Sequence, residues 1–399
     1  MKKKLHDETA LCHDGNSYYD HHGAIVPPIY QNSLYAFESW DDIDIAFEKP
    51  ADNFIYSRIL NPTVSLAEEK IAEICHGERA KLCASGMGAI SAAIMHCINV
   101  GDHIIAVTNV YGPTNNFLNQ YLTKKCGIKV SYVKGTSIDE FEEAILDTTR
   151  LIYLESPASM TFDIQDLEAV ANLAKSRNIK TIIDNTWATP IFQKPLDYGI
   201  DLECHSASKY LCGHSDVVAG VVVGKKEEID SIINNEHALF GAKMAPFEAW
   251  LILRSLRTLT LRMKQHQSST IEVAQWLEKQ EGIKAVHYPG LQSFPQYELA
   301  AKQLSGYSGL LSLELDTDDL DDVKRFVNRL ELFKLGVSWG GHESLVYSPS
   351  ISYLKELPPD KFRAMGLNIG LLRLSIGLEN PEDLIADISQ ALHREVTQF

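Results

Sequence analysis

From about residue 60 to residue 245, short apolar runs rich in β-branched residues alternate with stretches whose apolar positions repeat at helical spacing. The runs include "HIIAVTNV" (103–110), "LIYLESP" (151–157), "TIIDNTW" (181–187) and "VVAGVVVG" (217–224). Between the second and third lies "DLEAVANLAKSRN", which has the helical period. Apolar strands of this kind are buried on both faces, as happens when helices cross over a mostly parallel sheet. An α/β fold is therefore expected. After Pro246 a helical tract, "FEAWLILRSLRTLTLRMKQHQSSTIEVAQWLEK", leads to a smaller mixed region with strand-like "LLSLEL" (310–315) and "LRLSIGLE" (372–379). The economical picture is two domains joined by one long helix. The last segment, "PEDLIADISQALHREV", reads as a helix with proline and acids at its start. Residues before 60 look irregular, with Pro27-Pro28 and an acidic stretch at 41–48. The expected division is an N-terminal arm (1–60), an α/β domain (61–245) and a C-terminal α+β domain (246–399).

Charge and cysteine usage narrow the function. A net charge of −16 argues against binding nucleic acid or an anionic membrane by bulk electrostatics, though not against a local pocket for a small anion. The seven cysteines form no CxxC pair and are odd in number, which reads as reduced thiols in the cytoplasm. Residues 82–100 carry no Asp, Glu, Lys or Arg, so hydropathy alone suggests a membrane span. The small residues at their start, His96 within them and the lack of a second such segment favour a strand end followed by a core helix. The basic N-terminus has no apolar core behind it, so no secretory signal is expected.

In parallel α/β sheets, ligand chemistry gathers on loops at the carboxyl ends of strands. "ASGMGAISAA" follows the apolar "AKLCA" and opens a helix. Gly86 and Gly88 allow close backbone approach, and free N–H groups at a helix start attract anions, phosphate above all. A tight turn with small residues chosen for packing is the alternative. A dinucleotide fingerprint would want glycine where Ser91 stands and an acid about twenty positions on, and neither is clear. Asp184 ends the apolar run "KTIID". A carboxylate at the tip of a buried strand costs desolvation unless it has a partner, or it caps the turn "DNT". Lys209, in "HSASKYLCGHSD" (205–216), is set among Ser206, Ala207, Ser208 and Tyr210. A lysine so sheltered loses its proton more readily and can condense with a carbonyl. Ser206 to Lys209 is formally the SxxK of serine–lysine hydrolases, but the companion motifs SDN and KTG are absent. Cys204, His205, Cys212 and His214 match no common zinc spacing, nor do Cys12, His13, His21 and His22, so no metal is expected. An anion-binding helix start, a strand-end acid and a sheltered lysine together describe one cofactor, pyridoxal 5′-phosphate. It has a phosphate, a ring nitrogen that works best protonated and an aldehyde that condenses with lysine.

Ordered segments from position 27 to 379 carry a resemblance over nearly the whole chain. They are "PPIYQNS" (27–33), "YSRILNPT" (56–63), "SGMGAISA" (85–92), "LESP" (154–157), "IDNTWATP" (183–190), "SASKYLCGHSD" (206–216), "LRTLTLR" (256–262), "SWGGHESL" (338–345) and "LLRLSIGLE" (371–379). The chain resembles the Cys/Met-metabolism pyridoxal-phosphate enzymes of fold type I, the transsulfuration group. The resemblance implies a mostly parallel seven-stranded sheet domain and a smaller C-terminal α+β domain. It implies that Lys209 holds the cofactor covalently and, once freed, shuttles the Cα proton. Asp184 would pair with the pyridine nitrogen. The N–H groups of Gly86 and Met87, with the hydroxyls of Ser206 and Ser208, would hold the phosphate; the family usually has Thr where Ser208 stands. Tyr111 would stack on the ring and orient the substrate amine. Tyr56 and Arg58 would reach the phosphate of a neighbouring subunit's cofactor, Tyr56 touching substrate as well, so that residues 1–60 form an arm on the neighbour. A homodimer would be the active unit within a homotetramer. Arg373 would grip the α-carboxylate of a small amino-acid substrate, with Ser338 and Trp339 beside it. An ordinary surface cation is the alternative for Arg373, disfavoured by its place within "LLRLSIG".

Within the family, many γ-synthases and γ-lyases carry ESPxNP, whereas this chain has "ESPASM" with Ser159 in place of Asn, and Trp339 where Leu is usual. "ESPASMT", "DNTWA", "SWGGHESL", "KYLCGHSD" and "YGP" (111–113) resemble bacterial cystathionine β-lyases more closely. That resemblance implies a cytoplasmic enzyme of methionine biosynthesis that expels thiolate from Cβ of L-cystathionine, giving homocysteine, pyruvate and ammonia. Cystine and cysteine are further candidate substrates. His342 departs from the Tyr expected there. The competing reading is γ-replacement or γ-elimination on an O-acylhomoserine or a related amino acid.

Overall fold

The apolar runs become strands β1 (Arg79–Cys83), β2 (His103–Val107), β3 (Lys129–Val133), β4 (Thr149–Glu155), β5 (Lys180–Asp184), β6 (Leu202–His205) and β7 (Gly220–Gly224). They form one sheet in the order β1-β7-β6-β5-β4-β2-β3. The structure is a computed structural model and describes residues 5–13, 19–356, 362–363 and 365–393. Residues 1–4 and 14–18 of the expected arm, and 394–396 of the expected closing helix, lie outside the described residues. β2 pairs in parallel with β3 and β4, β4 with β5, and β5 with β6. No α-helix separates β6 from β7, so β7 returns antiparallel to β6 and to β1.

The strands are apolar because both faces are covered. Ile182 and Ile183 point to opposite faces of β5 and are both fully buried, each side chain stabilising the fold by about 1.5–3 kcal/mol. The covering helices start where local chemistry allows. Helix α1 (Pro62–Cys75) has proline in its first turn, and the Asn61 side chain accepts the Thr63 N–H at 3.0 Å. It ends at His76 in the left-handed region, φ 59°. In α2 (Gly86–Cys97) the Ser85 hydroxyl accepts the Gly88 N–H at 3.0 Å. A short helix, α3 (Gly112–Asn116), follows β2, and α4 (Leu167–Ser176) is capped by Asp166 on the Ala169 N–H at 3.1 Å. Residues 82–100 resolve into the end of β1 and α2, and no helix among the described residues is long and apolar enough to cross a membrane. All seven cysteines are free, and burial pushes the Cys83 thiol up to about 12.

The tract after Pro246 is not one helix. It breaks into α5 (Pro246–Leu256) and α6 (Leu259–Leu277), because Thr258 turns both its N–H and its hydroxyl onto the Ser255 carbonyl. Strands β8 (Ile283–His287), β9 (Leu310–Leu315), β10 (Lys334–Leu335), β11 (Leu345–Tyr347) and β12 (Leu371–Ser375) make a second sheet in the order β10-β11-β12-β9-β8. Helix α7 (Pro381–His393) supports it through Asp387, whose carboxylate takes the N–H groups of Glu331, Leu332 and Phe333 at 2.8, 2.8 and 3.2 Å. The chain divides into two compact units, Met1–Glu155 with Gln165–Thr260, and Ser156–Ile164 with Leu261–Phe399. A large, mostly parallel sheet and a smaller second sheet are the α/β architecture expected.

Candidate active site

The start of α2 is built to receive an anion. The Ser85 side chain takes the Gly88 N–H, and the Ser85 carbonyl takes the Ala89 N–H, which leaves the N–H groups of Gly86 and Met87 without an acceptor among the described residues. A Cβ added to Gly86 would lie 3.0 Å from the Ser206 hydroxyl oxygen, so this helix start rests directly against Ser206. Gly220 backs the same turn. A side chain there would meet the Ser85 carbonyl oxygen at 2.2 Å, so only glycine fits.

Asp184, the last residue of β5, is buried, and so is Thr186 two residues on. Thr186 donates its N–H at 3.0 Å, and its hydroxyl, to Asp184 Oδ1. The same hydroxyl accepts the Ser206 N–H at 2.8 Å, tying the acid to the turn that carries the serines. Oδ2 takes no hydrogen bond from the described residues. Burial pushes the Asp184 carboxyl up, opposed by the two Thr186 hydrogen bonds and by the charges of His205 and Lys209. Asn185, between the two, is pinned to Glu203 at 2.7 Å, and His205 donates to the same carboxylate oxygen at 2.7 Å. The "DNT" turn thus caps and supports the acid at once.

Lys209 follows in the loop after β6. Its N–H donates to the Ser206 carbonyl at 3.0 Å and its carbonyl accepts from Gly213 at 2.7 Å, so two backbone hydrogen bonds hold its turn. The Ser208 hydroxyl, expected to help hold the phosphate, is bonded within the chain. Its oxygen accepts the Ala219 N–H at 2.9 Å and its O–H donates to the Ala219 carbonyl at 3.2 Å, a donor that would have to swing away to reach a phosphate. Tyr111 precedes α3, and its N–H donates to Glu155 Oε2 at 2.6 Å. Glu155 lies opposite Asp184 in the β4–β5 ladder. The structure therefore brings Gly86, Met87, Asp184, Ser206, Ser208 and Lys209 into one connected neighbourhood, with Tyr111 joined to it through β4.

Tyr56 and Arg58 are not joined to that cluster by any of these bonds. Arg58 lies over the Tyr56 ring, 5.9 Å from its centroid, and donates to the Ala238 carbonyl. Both line a separate cavity of about 510 Å³ with Ser33 and Lys243. Arg373, Ser338 and Trp339 belong to the second unit. Arg373 sits on β12, 7 % exposed, with its guanidinium 5.0 Å from the Tyr347 ring centroid and donating to the Val337 carbonyl at 3.0 Å. It is no surface cation. Ser338 is exposed and Trp339 half-buried. Thr186 and Glu155 were not singled out as site residues from the sequence. Glu155 carries the signal that marks Asp184, an acid closing a buried apolar strand.

The residues fit pyridoxal phosphate. Two unshared N–H groups at a helix start suit its phosphate, the unused Asp184 oxygen suits its ring nitrogen, and Lys209 offers the amine. Fold and donor set together define the class, a pyridoxal-phosphate-dependent enzyme of fold type I. Residues 8–393 match the family described as Cys/Met metabolism PLP-dependent enzymes. An L-methionine gamma-lyase of Porphyromonas gingivalis is 41 % identical over 372 residues, covering 93 % of each chain. A cystathionine beta-lyase of Coxiella burnetii is 37 % identical over 391 residues, covering 98 % of each. The crystal structure of metB from Corynebacterium glutamicum superposes with a TM-score of 0.90 at 32 % identity, covering 98 % of each chain. The chain belongs to the Cys/Met metabolism PLP-dependent family and is a lyase of sulfur amino-acid metabolism.

Proposed function

We propose that the chain is a cystathionine β-lyase, releasing homocysteine, pyruvate and ammonia from L-cystathionine. The reading is carried by three sequence segments, "YGP" at 111–113, "ESPASMT" at 155–161 and Trp339 before its glycine pair, which resemble β-lyases more closely than the γ-enzymes. The Coxiella relative, named a cystathionine beta-lyase, supports it. γ-Elimination is the second reading, favoured by the Porphyromonas relative.

Bound pyridoxal phosphate supplies an electron sink for the pair left on Cα. Lys209 takes the Cα proton, and Asp184 keeps a proton on the ring nitrogen. Arg373 holds the α-carboxylate, with Ser338 and Trp339 near it, and Tyr111 orients the substrate amine. The N–H groups of Gly86 and Met87 and the Ser206 hydroxyl hold the phosphate, joined by the Ser208 hydroxyl once it turns from the Ala219 carbonyl. Tyr56 and Arg58 serve the site of a neighbouring copy, with residues 1–60 as the arm that carries them, so the working unit is a homodimer within a cytoplasmic homotetramer of methionine biosynthesis. β-Elimination asks for one base at Cα and a proton for the departing sulfur. γ-Elimination asks for a second proton removal, at Cβ.

Products decide between them. L-Cystathionine given alone is expected to yield pyruvate; 2-oxobutyrate as the main keto acid, or its release from L-methionine at a comparable rate, would assign γ-chemistry instead. Arg373→Leu is expected to raise KM by roughly tenfold to a hundredfold with a smaller change in kcat, the size of a lost charged hydrogen-bonded contact. Unchanged steady-state constants would place the carboxylate elsewhere.

A further inference from the structure

We propose that Glu155 is a positioning residue for Tyr111, setting the pose in which the Tyr111 ring meets the cofactor; this rests on the role proposed above for Tyr111. Glu155 is the last residue of β4 and only 8 % exposed. Its Oε2 accepts the Tyr111 N–H at 2.6 Å, a short contact of a backbone donor on a carboxylate. Asn115 donates to the Tyr111 carbonyl at 3.0 Å, so the Tyr111 peptide is gripped from both ends. Tyr111 stands immediately before α3 and its side chain is 45 % exposed, so the doubly bonded backbone helps fix the direction in which the ring projects.

The place of Glu155 is costly unless it holds something. It pairs with Asp184 in the β4–β5 register, so two carboxylates share one face of the sheet with backbones about 5 Å apart. Like charges so close repel, and a neutral residue would relieve the pair. A residue with no acceptor oxygen there would also release the turn between β2 and α3. A displacement of about 1 Å in a group that orients substrate can cost on the order of a hundredfold in rate.

The test uses Glu155→Ala, Glu155→Gln and Tyr111→Ala, alone and combined, in the cofactor-loaded protein. Glu155→Ala is expected to lower kcat/KM by roughly tenfold to a hundredfold and to change the visible circular dichroism of the bound cofactor, with its absorbance retained. Glu155→Gln keeps an acceptor oxygen and should stay within about threefold of wild type. On the Tyr111→Ala background, Glu155→Ala should cost less than about twofold more, since both act through one ring. In the cofactor-free protein, hydrogen exchange at the Tyr111 amide should quicken in Glu155→Ala and stay slow in Glu155→Gln. The proposal is overturned if Glu155→Ala costs as much without the Tyr111 ring as with it, or if dichroism and exchange are both unmoved. Should Glu155→Ala not fold, a rapidly exchanging Tyr111 amide in Glu155→Gln overturns it equally. Absence of the cofactor band in the wild type would strike the pyridoxal-phosphate reading instead.

Discussion

Lys209→Ala is expected to fold, to bind pyridoxal phosphate only reversibly and to turn over substrate about 10²–10⁴-fold more slowly, the usual contribution of a positioned acid–base group. The fold should survive because the Lys209 turn is held by its backbone, through Ser206 and Gly213, and neither bond involves the ammonium. The cofactor should still be recognised, because the N–H groups at the start of α2 and the Asp184 oxygen remain. Two functions disappear together: the covalent anchor, and the base that reaches Cα. Unfolding midpoints, retention of cofactor through dialysis and single-turnover rates measure the three parts separately. Wild-type turnover in this variant would be irreconcilable with the proposed role.

Asp184→Asn should push stability and catalysis in opposite directions. The folded-state pKa of Asp184 lies above its ordinary value of 3.8, chiefly because the group is buried. Its favourable contribution to folding is therefore complete below about pH 3.8 and is lost as pH rises through the higher folded value. At neutral pH the cofactor-free protein carries the cost of burying an acid that would ionise freely in the unfolded chain, softened by Thr186 and by the charges of His205 and Lys209. An amide carries no such cost. The cofactor-free Asn variant should melt higher than wild type at pH 8, and the gap should close as pH falls towards 4. The loaded variant should lose roughly 10²–10³-fold in kcat, as when one preorganised electrostatic partner is removed, because the amide cannot keep the ring nitrogen protonated. A variant that is less stable in the cofactor-free form at pH 8, yet fully active when loaded, would refute both halves.

Much of this was legible in the residues, for reasons that also explain the misses. β-Branched apolar runs at 103–110 and 181–187 could be buried on both faces only within a covered parallel sheet; β2 lies within the first, and β5 begins one residue before the second and ends inside it. Their ends were not legible. The run from 217 becomes strand only at Gly220, because the Ala219 backbone is taken by Ser208. The run from 181 stops at Asp184, because the Thr186 N–H turns back to the Asp184 carboxylate. The break at Thr258 depends on a hydroxyl choosing a carbonyl three residues back, which apolar periodicity does not register. Lys209 and Asp184 stood out by violating the pattern around them. Glu155 violated it in the same way, but its partner, the Tyr111 N–H, lies 44 positions away and meets it only through the pairing of β2 with β4.

The central claim, that the side chain at 209 carries a vitamin B6 aldehyde, can be met head-on. Reducing the cofactor-loaded protein with borohydride, digesting it and weighing the peptides should find the cofactor's mass on the peptide containing Lys209. Finding it on a different lysine, or on none, would contradict the account.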